Sequence, residues 1–142
     1  MVMAAGHVPS ARALLLPYAA ASVRAARRHI AADLRRRGIP RGIVEDCVLV
    51  ASEILSNAVK HARPLRSGKV EIAWDVRDDE VEIQVADGGG PTTPQAHAPS
   101  LSALGGRGLA IVASLAGTWG VRHGDLGTIV WARLPFPQSA RP

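Results

Sequence analysis

Three polar side chains in residues 53–61 have types and spacings that suit work on a phosphorylated ligand. Glu53, Asn57 and Lys60 are separated by four and three positions, so in a helix they share one face. A carboxylate can accept a proton, an amide oxygen is a hard ligand suited to Mg²⁺, and an ammonium can neutralise phosphate. Together they form a plausible set of groups for handling a nucleoside triphosphate.

Helix amphipathicity offers a simpler explanation of the same pattern. At 100° per residue, nine apolar residues between positions 43 and 59 fill a continuous arc from about 80° to 240° around the helix, measured from Glu53. They are Ile43, Val44, Cys47, Val48, Ala51, Ile54, Leu55, Ala58 and Val59. Glu53, Asn57 and Lys60 fall on the opposite side. An amphipathic helix with a solvated polar face would look the same without any ligand.

Two glycine-rich motifs downstream favour a ligand. A strand pattern over residues 81–85 runs into Asp87 and three glycines, and the run 105–108 (Gly-Gly-Arg-Gly) opens an apolar helix pattern. Glycines let a ligand approach the backbone closely, and the helix N-terminus offers free N–H groups and a positive dipole end. Each motif alone is weak, since the first could be a plain loop and the second a flexible linker.

The order of these motifs is more specific than any one of them. A polar-faced helix, a strand ending in Asp-Gly, a long loop and a glycine-rich helix start resemble the GHKL ATPase superfamily. Within it, the chain resembles the stand-alone ATP-binding proteins related to bacterial anti-sigma factor serine kinases. The resemblance covers roughly residues 18–134, and the stretch 127–135 resembles the last strand of that group.

This resemblance implies roles for the polar helix face. Asn57 matches the asparagine that binds Mg²⁺. Glu53 matches the catalytic base of the members that hydrolyse ATP or phosphorylate serine. Lys60 matches a basic residue near the phosphates. The expected cofactors are therefore ATP and Mg²⁺.

The glycine motifs receive roles in the same way. Asp87 matches the aspartate that accepts a hydrogen bond from the adenine amino group, and Gly89 matches the glycine that lets the base lie against the backbone. The second glycine box, which contacts the phosphates beneath a lid, corresponds to Gly106, Arg107, Gly108 and Leu109.

One position departs from the family pattern. The first glycine box usually ends Asp-X-Gly-X-Gly, and here the last place is Pro91. Proline fixes φ and has no N–H, which predicts a stiffer hinge for the lid. The lid itself is assigned to residues 88–104, because a long aperiodic loop in a compact domain is usually functional or disordered.

Composition favours one small cytoplasmic domain. The chain has 142 residues, 47% of them hydrophobic, and one cysteine, Cys47, so no internal disulfide can form. No run approaches the length of a membrane span, and no secretory signal is expected. We expect the ATP-binding domain over residues 18–135, an irregular segment over 1–17 in which 13–16 could add an edge strand, and a loose tail over 136–142.

Periodicity predicts the layout of that domain. Helices are expected over residues 19–37 and 41–62, and a third from Leu109 to about Ala116. Strands are expected over 70–76, 81–85, 118–123 and 128–134, with the first two forming a hairpin. Gly38 is expected to end the first helix. Helices segregated from such strands predict an α+β two-layer sandwich on a mixed, mostly antiparallel sheet, as in the histidine kinase-like ATPase fold.

The net charge of +5 concentrates on the first predicted helix. Its arginines are Arg24, Arg27, Arg28, Arg35, Arg36 and Arg37. Such a run could touch nucleic acid, but only 4% of the residues are aromatic and no stacking platform or DNA-binding motif is apparent. A solvated face, or a surface for an acidic protein partner, is the favoured interpretation.

Taken with the resemblance, these features predict an ATP-binding regulatory protein, a serine/threonine kinase that acts by partner switching. The implied partners are an anti-anti-sigma antagonist or a sigma factor, with no membrane, and a homodimer is left open. Two alternatives stay open. One is a non-catalytic ATP-dependent binding module, which Pro91 favours and Glu53 opposes. The other is a basic nucleic-acid-binding protein. A histidine kinase is disfavoured because no phospho-accepting hairpin precedes the domain.

Overall fold

The computed structural model describes residues 11–90, 107–125 and 127–137, in which three helices cover one face of a five-stranded sheet. In chain order the elements are β1 (Arg12–Pro17), α1 (Ala21–Arg36), α2 (Arg41–His61), β2 (Lys69–Val76), β3 (Glu80–Asp87), α3 (Arg107–Leu115), β4 (Thr118–Gly124) and β5 (Gly127–Pro135). The predicted α+β two-layer sandwich is confirmed.

The sheet has the strand order β1-β2-β3-β5-β4, and each of its ladders in the described residues is antiparallel. We expected a mixed, mostly antiparallel sheet, and among the described strands no parallel pair occurs. β2 and β3 form the predicted hairpin, and β5 inserts between β3 and β4. This order brings the start of β5 beside the end of β3, where Asp87 is the register partner of Thr128.

α1 and α2 form an antiparallel helical hairpin. α1 ends in a Schellman motif: Gly38 has a φ of 79°, its N–H bonds to the Arg35 carbonyl, and the Ile39 N–H bonds to the Leu34 carbonyl. The chain reverses over four residues before α2 begins at Arg41. The N-terminal end of α1 therefore lies beside the C-terminal end of α2.

The core lies between the helices and the sheet. α2 crosses the middle of the sheet, with α1 and α3 packed against it. The largest fully buried side chains are Ile30, Leu34, Ile54, Leu55, Ile72, Ile83, Leu109, Leu134, Val44, Val50, Val70 and Val81. A buried polar cluster also joins α1 to the sheet. Asp33 accepts a 2.8 Å hydrogen bond from Trp74 and forms an ion pair with Arg37 at 2.9 Å.

The folded region extends further at both ends than its sequence pattern indicates. The possible edge strand is present as β1, which pairs with β2 over its whole length. At the other end, Phe136 is only 4% exposed, and its N–H donates to the Asp79 carbonyl at 2.9 Å. Most of the predicted lid, residues 91–104, and residues 138–142 lie outside the described residues. Within the described ranges, no helix is both long and apolar enough to cross a membrane.

Candidate functional site

The polar face of α2 lies at the edge of the core. Glu53 and Asn57 are half-buried, and Lys60 is exposed in the last turn. The next positions, Ile54 and Leu55, are fully buried, so the helix is locked in rotation by its apolar side. The structure therefore presents the carboxylate, the amide and the amine on one side of α2, as their spacing predicts.

Asp87 ends β3 as a buried carboxylate. It is 4% exposed, and its Oδ1 accepts a 2.7 Å hydrogen bond from the Gly89 N–H. Burial raises the pKa of Asp87, although the Gly89 hydrogen bond and the nearby His123 act in the opposite direction. A buried carboxylate held by one backbone N–H is a strong and well-oriented acceptor, so the site can recognise a donor such as an amino group.

A close backbone crossing ties Asp87 to the end of α2. The Arg63 N–H donates to the Gly89 carbonyl at 2.7 Å, and the Gly88 N–H donates to the Arg63 carbonyl at 2.7 Å. A Cβ at Gly88 would overlap the Pro64 carbonyl. Glycine is therefore required for steric reasons at position 88. The crossing lies at Arg63, two residues beyond His61, the last residue of α2.

Gly89 has a conformational reason to be glycine. Its φ of 90° lies in the left-handed region, which side chains disfavour, while the space around it is open except for the Thr128 hydroxyl, 3.6 Å from a Cβ placed there. An open, left-handed backbone directly after Asp87 leaves room for a flat ligand to lie against the main chain.

A cavity of about 450 Å³ opens next to this crossing. Its lining residues are Pro64, Arg66, Gly88, Gly89, Gly90, His123, Gly124, Asp125, Gly127 and Thr128. Thr128 is buried, and its hydroxyl lies 3.4 Å from Nδ1 of His123. The cavity thus combines bare glycine backbone with a hydroxyl and an imidazole beside the Asp87 carboxylate, which suits a planar, hydrogen-bonding ligand.

The start of α3 supplies the third part of the candidate site. Gly106 lies outside the described residues, while Arg107 and Gly108 form the first backbone positions of the helix. Leu109 is 2% exposed and its side chain packs in the core. Any contact of Leu109 with a ligand must therefore come from its N–H, which is one of the four that an α-helix leaves without an internal partner.

The structure brings some of the predicted residues together and leaves others apart. Gly89 lines the cavity and Asp87 lies beside it, whereas Glu53, Asn57 and Lys60 do not line it. Those three lie on the helix whose end is tied to Asp87 by the Arg63 hydrogen bonds. The candidate site therefore has two parts, the glycine-lined cavity beside Asp87 and the polar face of α2 with the start of α3.

Sequence patterns do not single out Thr128, His123 or Arg63. Thr128 follows Gly127, a glycine with a φ of 140° whose Cβ would overlap the Asp87 carbonyl. The Gly-Thr pair at the start of the last strand is the one local signal that marks this position. Arg63 acts through its backbone, so its residue type carries no signal of the role.

Comparisons with known proteins agree with this geometry. A family model described as the histidine kinase-like ATPase domain matches residues 16–134. The chain is 34% identical over 65 residues to the serine-protein kinase RsbW of Oceanobacillus iheyensis, covering 45% of this chain and 41% of that protein. It thus spans less than half the length of this relative.

A solved structure supports the fold. A crystal structure of the RsbU and RsbW domains of a Mycobacterium tuberculosis protein superposes with a TM-score of 0.68 and 21% sequence identity, covering 88% of this chain and 32% of that one. The likeness at this identity concerns the fold. With a family model that matches most of its length, the chain belongs to the histidine kinase-like ATPase domain family.

Proposed function

We propose that this chain binds Mg·ATP and transfers the γ-phosphoryl group to a serine or threonine of a protein antagonist, in partner-switching control of a sigma factor. The observation that carries the proposal is the buried Asp87 carboxylate, oriented by Gly89 and placed beside an open glycine-lined cavity. Family membership and the likeness to a serine-protein kinase support it.

The cavity fits an adenine base. The Gly89 N–H donates to Oδ1 of Asp87. We therefore assign the second carboxylate oxygen, Oδ2, as the acceptor for the exocyclic amino group. Gly89 has space that a side chain would fill, and the Thr128 hydroxyl faces it. A carboxylate accepts hydrogen bonds only, so guanine, which presents a carbonyl at the corresponding position, would be rejected.

The part formed by α2 and α3 fits phosphates and a hard cation. Within the described residues, no group of three or more His, Cys, Asp and Glu side chains converges as a metal site, so these residues form no all-protein cage. Mg²⁺ is commonly held by few protein ligands together with substrate phosphates and water, and Asn57 supplies a suitable amide oxygen. We assign Asn57 to the metal, and Lys60 with the α3 N–H groups of Arg107, Gly108 and Leu109 to the phosphates, with Gly106 before them.

Glu53 is our candidate for the catalytic base. It lies one helical turn before Asn57, and a carboxylate there can accept the proton of the attacking hydroxyl. Bound Mg²⁺ would supply charge neutralisation across the phosphates. The other role of these residues is positioning. Asp87 holds the adenine of the nucleotide, Asn57 and the start of α3 hold its phosphates, and Glu53 orients the attacking hydroxyl.

Cys47 supports placing this function in the cytoplasm. It is a fully buried residue of α2, and burial, with a smaller effect of Asp46, raises its pKa to about 12. The thiol therefore stays protonated and packs as a small apolar group. A chain that uses its single cysteine in this way fits a reducing compartment.

Calorimetry of nucleotide binding, followed by a transfer assay, tests the proposal. We expect Mg·ATP to bind and GTP to bind at least about tenfold more weakly. Labelled ATP incubated with a candidate anti-anti-sigma antagonist should then label that antagonist. Tight ATP binding without transfer to the antagonist would support the non-catalytic binding module, and equal affinity for ATP and GTP would contradict the assignment of Asp87.

A further inference from the structure

The outward face of α1 carries only positive charge. Arg24, Arg27, Arg28 and Arg35 are all exposed, and we call these four residues the basic stripe. At 100° per residue, Arg24, Arg28 and Arg35 lie within about 40° of one another around the helix, and Arg27 lies about 60° to one side of Arg24. The stripe is about 16 Å long, from the helical rise of 1.5 Å per residue.

No Asp or Glu carboxylate in the described part of the chain pairs with the basic stripe. All twelve Asp and Glu residues fall within the described ranges, and none of them forms an ion pair with a stripe arginine there. The one acidic residue of α1, Asp33, is buried and bound by Arg36, Arg37 and Trp74. Like charges one turn apart on a helix repel each other, and an external anion would relieve that repulsion.

The stripe begins at the candidate site. The antiparallel α1–α2 hairpin places Arg24 toward the C-terminal end of α2. The Tyr18 hydroxyl, just before α1, donates a hydrogen bond to the Ala62 carbonyl at that end. The next residue, Arg63, is bonded to the loop after Asp87. A partner lying along the stripe would thus have one end near the last turn of α2, which carries Lys60, and near the crossing beside Asp87.

The surroundings of the stripe favour a protein segment over a membrane or nucleic acid. The apolar side of α1, with Ala26, Ile30 and Leu34, is buried in the core, so α1 has no free apolar face to insert into a bilayer. α1 contains no Phe, Tyr or Trp on which bases could stack. Guanidinium groups pair with carboxylates through two parallel hydrogen bonds, which suits an acidic peptide.

We propose that the basic stripe is the docking surface for an acidic segment of the protein that presents the hydroxyl for phosphorylation. The inference rests on the proposed function for its biological meaning, but the docking can be measured without nucleotide. It assigns the phosphorylated partner to a chemical class: a protein with several carboxylates along one face of the segment that contacts α1.

Fluorescence anisotropy tests the docking. The probe is a labelled helical peptide that carries glutamates along one face and alanines at its other positions. We compare the native chain with Arg24→Glu/Arg28→Glu and with the control Lys69→Glu/Arg122→Glu, which makes the same charge change at exposed positions of the sheet. The stripe variant should lose at least about tenfold in peptide affinity and the control less than about threefold. A neutral variant, Arg24→Gln/Arg28→Gln, repeats the test with less electrostatic perturbation, and circular dichroism checks folding.

Each other outcome overturns the proposal. Equal losses in the stripe variant and the control would make the attraction a general charge effect. No peptide binding by the native chain would mean that the stripe is only solvated. Nucleic acid would be the occupant if a DNA duplex of about 20 base pairs bound more tightly than the peptide, if the stripe variant lost this binding, and if the affinity fell steeply with salt concentration. ATP affinity, measured on the same variants, should be unchanged, so a failed docking test and a failed nucleotide assignment are distinguishable.

Discussion

The backbone N–H of Gly89 donates a 2.7 Å hydrogen bond to Oδ1 of Asp87. This contact closes a short turn at the end of β3 and orients the carboxylate, while the φ of 90° at Gly89 keeps the main chain beside it free of a side chain. The acceptor and the open space next to it are therefore built by adjacent residues of one motif.

Asp87→Asn should weaken ATP binding by about 1–3 kcal/mol, because an amide can turn a donor toward the adenine amino group. Calorimetry measures the loss. The matched control is Asp33→Asn, which alters another buried carboxylate in a cluster between α1 and β2 and should leave ATP affinity unchanged in folded protein. Equal ATP affinity of Asp87→Asn and the native chain would rule out Asp87 as the base-recognising group.

Asn57→Ala should remove most of the Mg²⁺ dependence of nucleotide binding. The amide oxygen is the hard ligand that the α2 face offers, so affinity for Mg·ATP should fall much more than affinity for ATP in a chelator. Ser56→Ala, at the neighbouring half-buried position, is the control. If a chelator leaves the ATP affinity of the native chain unchanged, the role given to Asn57 is wrong.

Glu53→Ala should separate binding from chemistry. A negative charge near phosphates does not attract them, so ATP affinity should be kept or should rise. Phosphoryl transfer should fall by about 10²–10⁴, the range typical of a general base. Glu45→Ala, an exposed glutamate of the same helix, should transfer at the native rate. Native-like transfer by Glu53→Ala would leave Glu53 as a solvated helix residue, in line with the simple amphipathic explanation.

Gly88→Ala should destabilise the fold by about 1–3 kcal/mol, since the new methyl group would overlap the Pro64 carbonyl at the crossing of two backbones. Urea unfolding measures the change. Gly42→Ala is the control, because its Cβ would meet nothing within 4 Å and the substitution lies in α2, where alanine is favoured over glycine. Similar stability of the two variants would contradict the steric requirement at Gly88.

The environment of Asp33 should make the free energy of unfolding fall in acid. Burial alone would raise its pKa, but the Trp74 hydrogen bond, the Arg36 hydrogen bond and the positive charge of Arg37 outweigh burial, and the pKa of Asp33 is lowered below its usual 3.8. A lowered pKa means that the folded state favours the charged form. The stabilisation is therefore complete above pH 3.8 and is lost as the pH falls through the folded-state pKa.

Asp33→Asn tests this linkage. The variant should lose about 1–3 kcal/mol at neutral pH, because Arg37 is left without its anion, and the loss should shrink below pH 3.8. Urea unfolding at several pH values measures both. Asp78→Asn, at an exposed loop position, should match the native chain throughout. A loss that stays constant down to the lowest pH would show that the charge of Asp33 does not contribute.

Local patterns in the sequence were enough for the elements and for the motif residues. The polar face of α2, the strand ending at Asp87, the Schellman glycine at Gly38 and the β2–β3 hairpin are all set by interactions between residues close in the chain. Helical and strand periodicities and glycine conformations act over such short ranges, so a single sequence reveals them. The resemblance to the family came from the order of these same local motifs.

Only the tertiary structure decided which distant residues meet. The insertion of β5 between β3 and β4 makes Thr128 the partner of Asp87, and alternation along a strand is the same whichever strand lies beside it. Arg63 meets Gly88 and Gly89 through main-chain atoms, which every residue type except proline offers alike. The Trp74–Asp33 hydrogen bond joins residues 41 positions apart. Such contacts depend on how helices and strands pack in three dimensions, and periodicity carries no record of that packing.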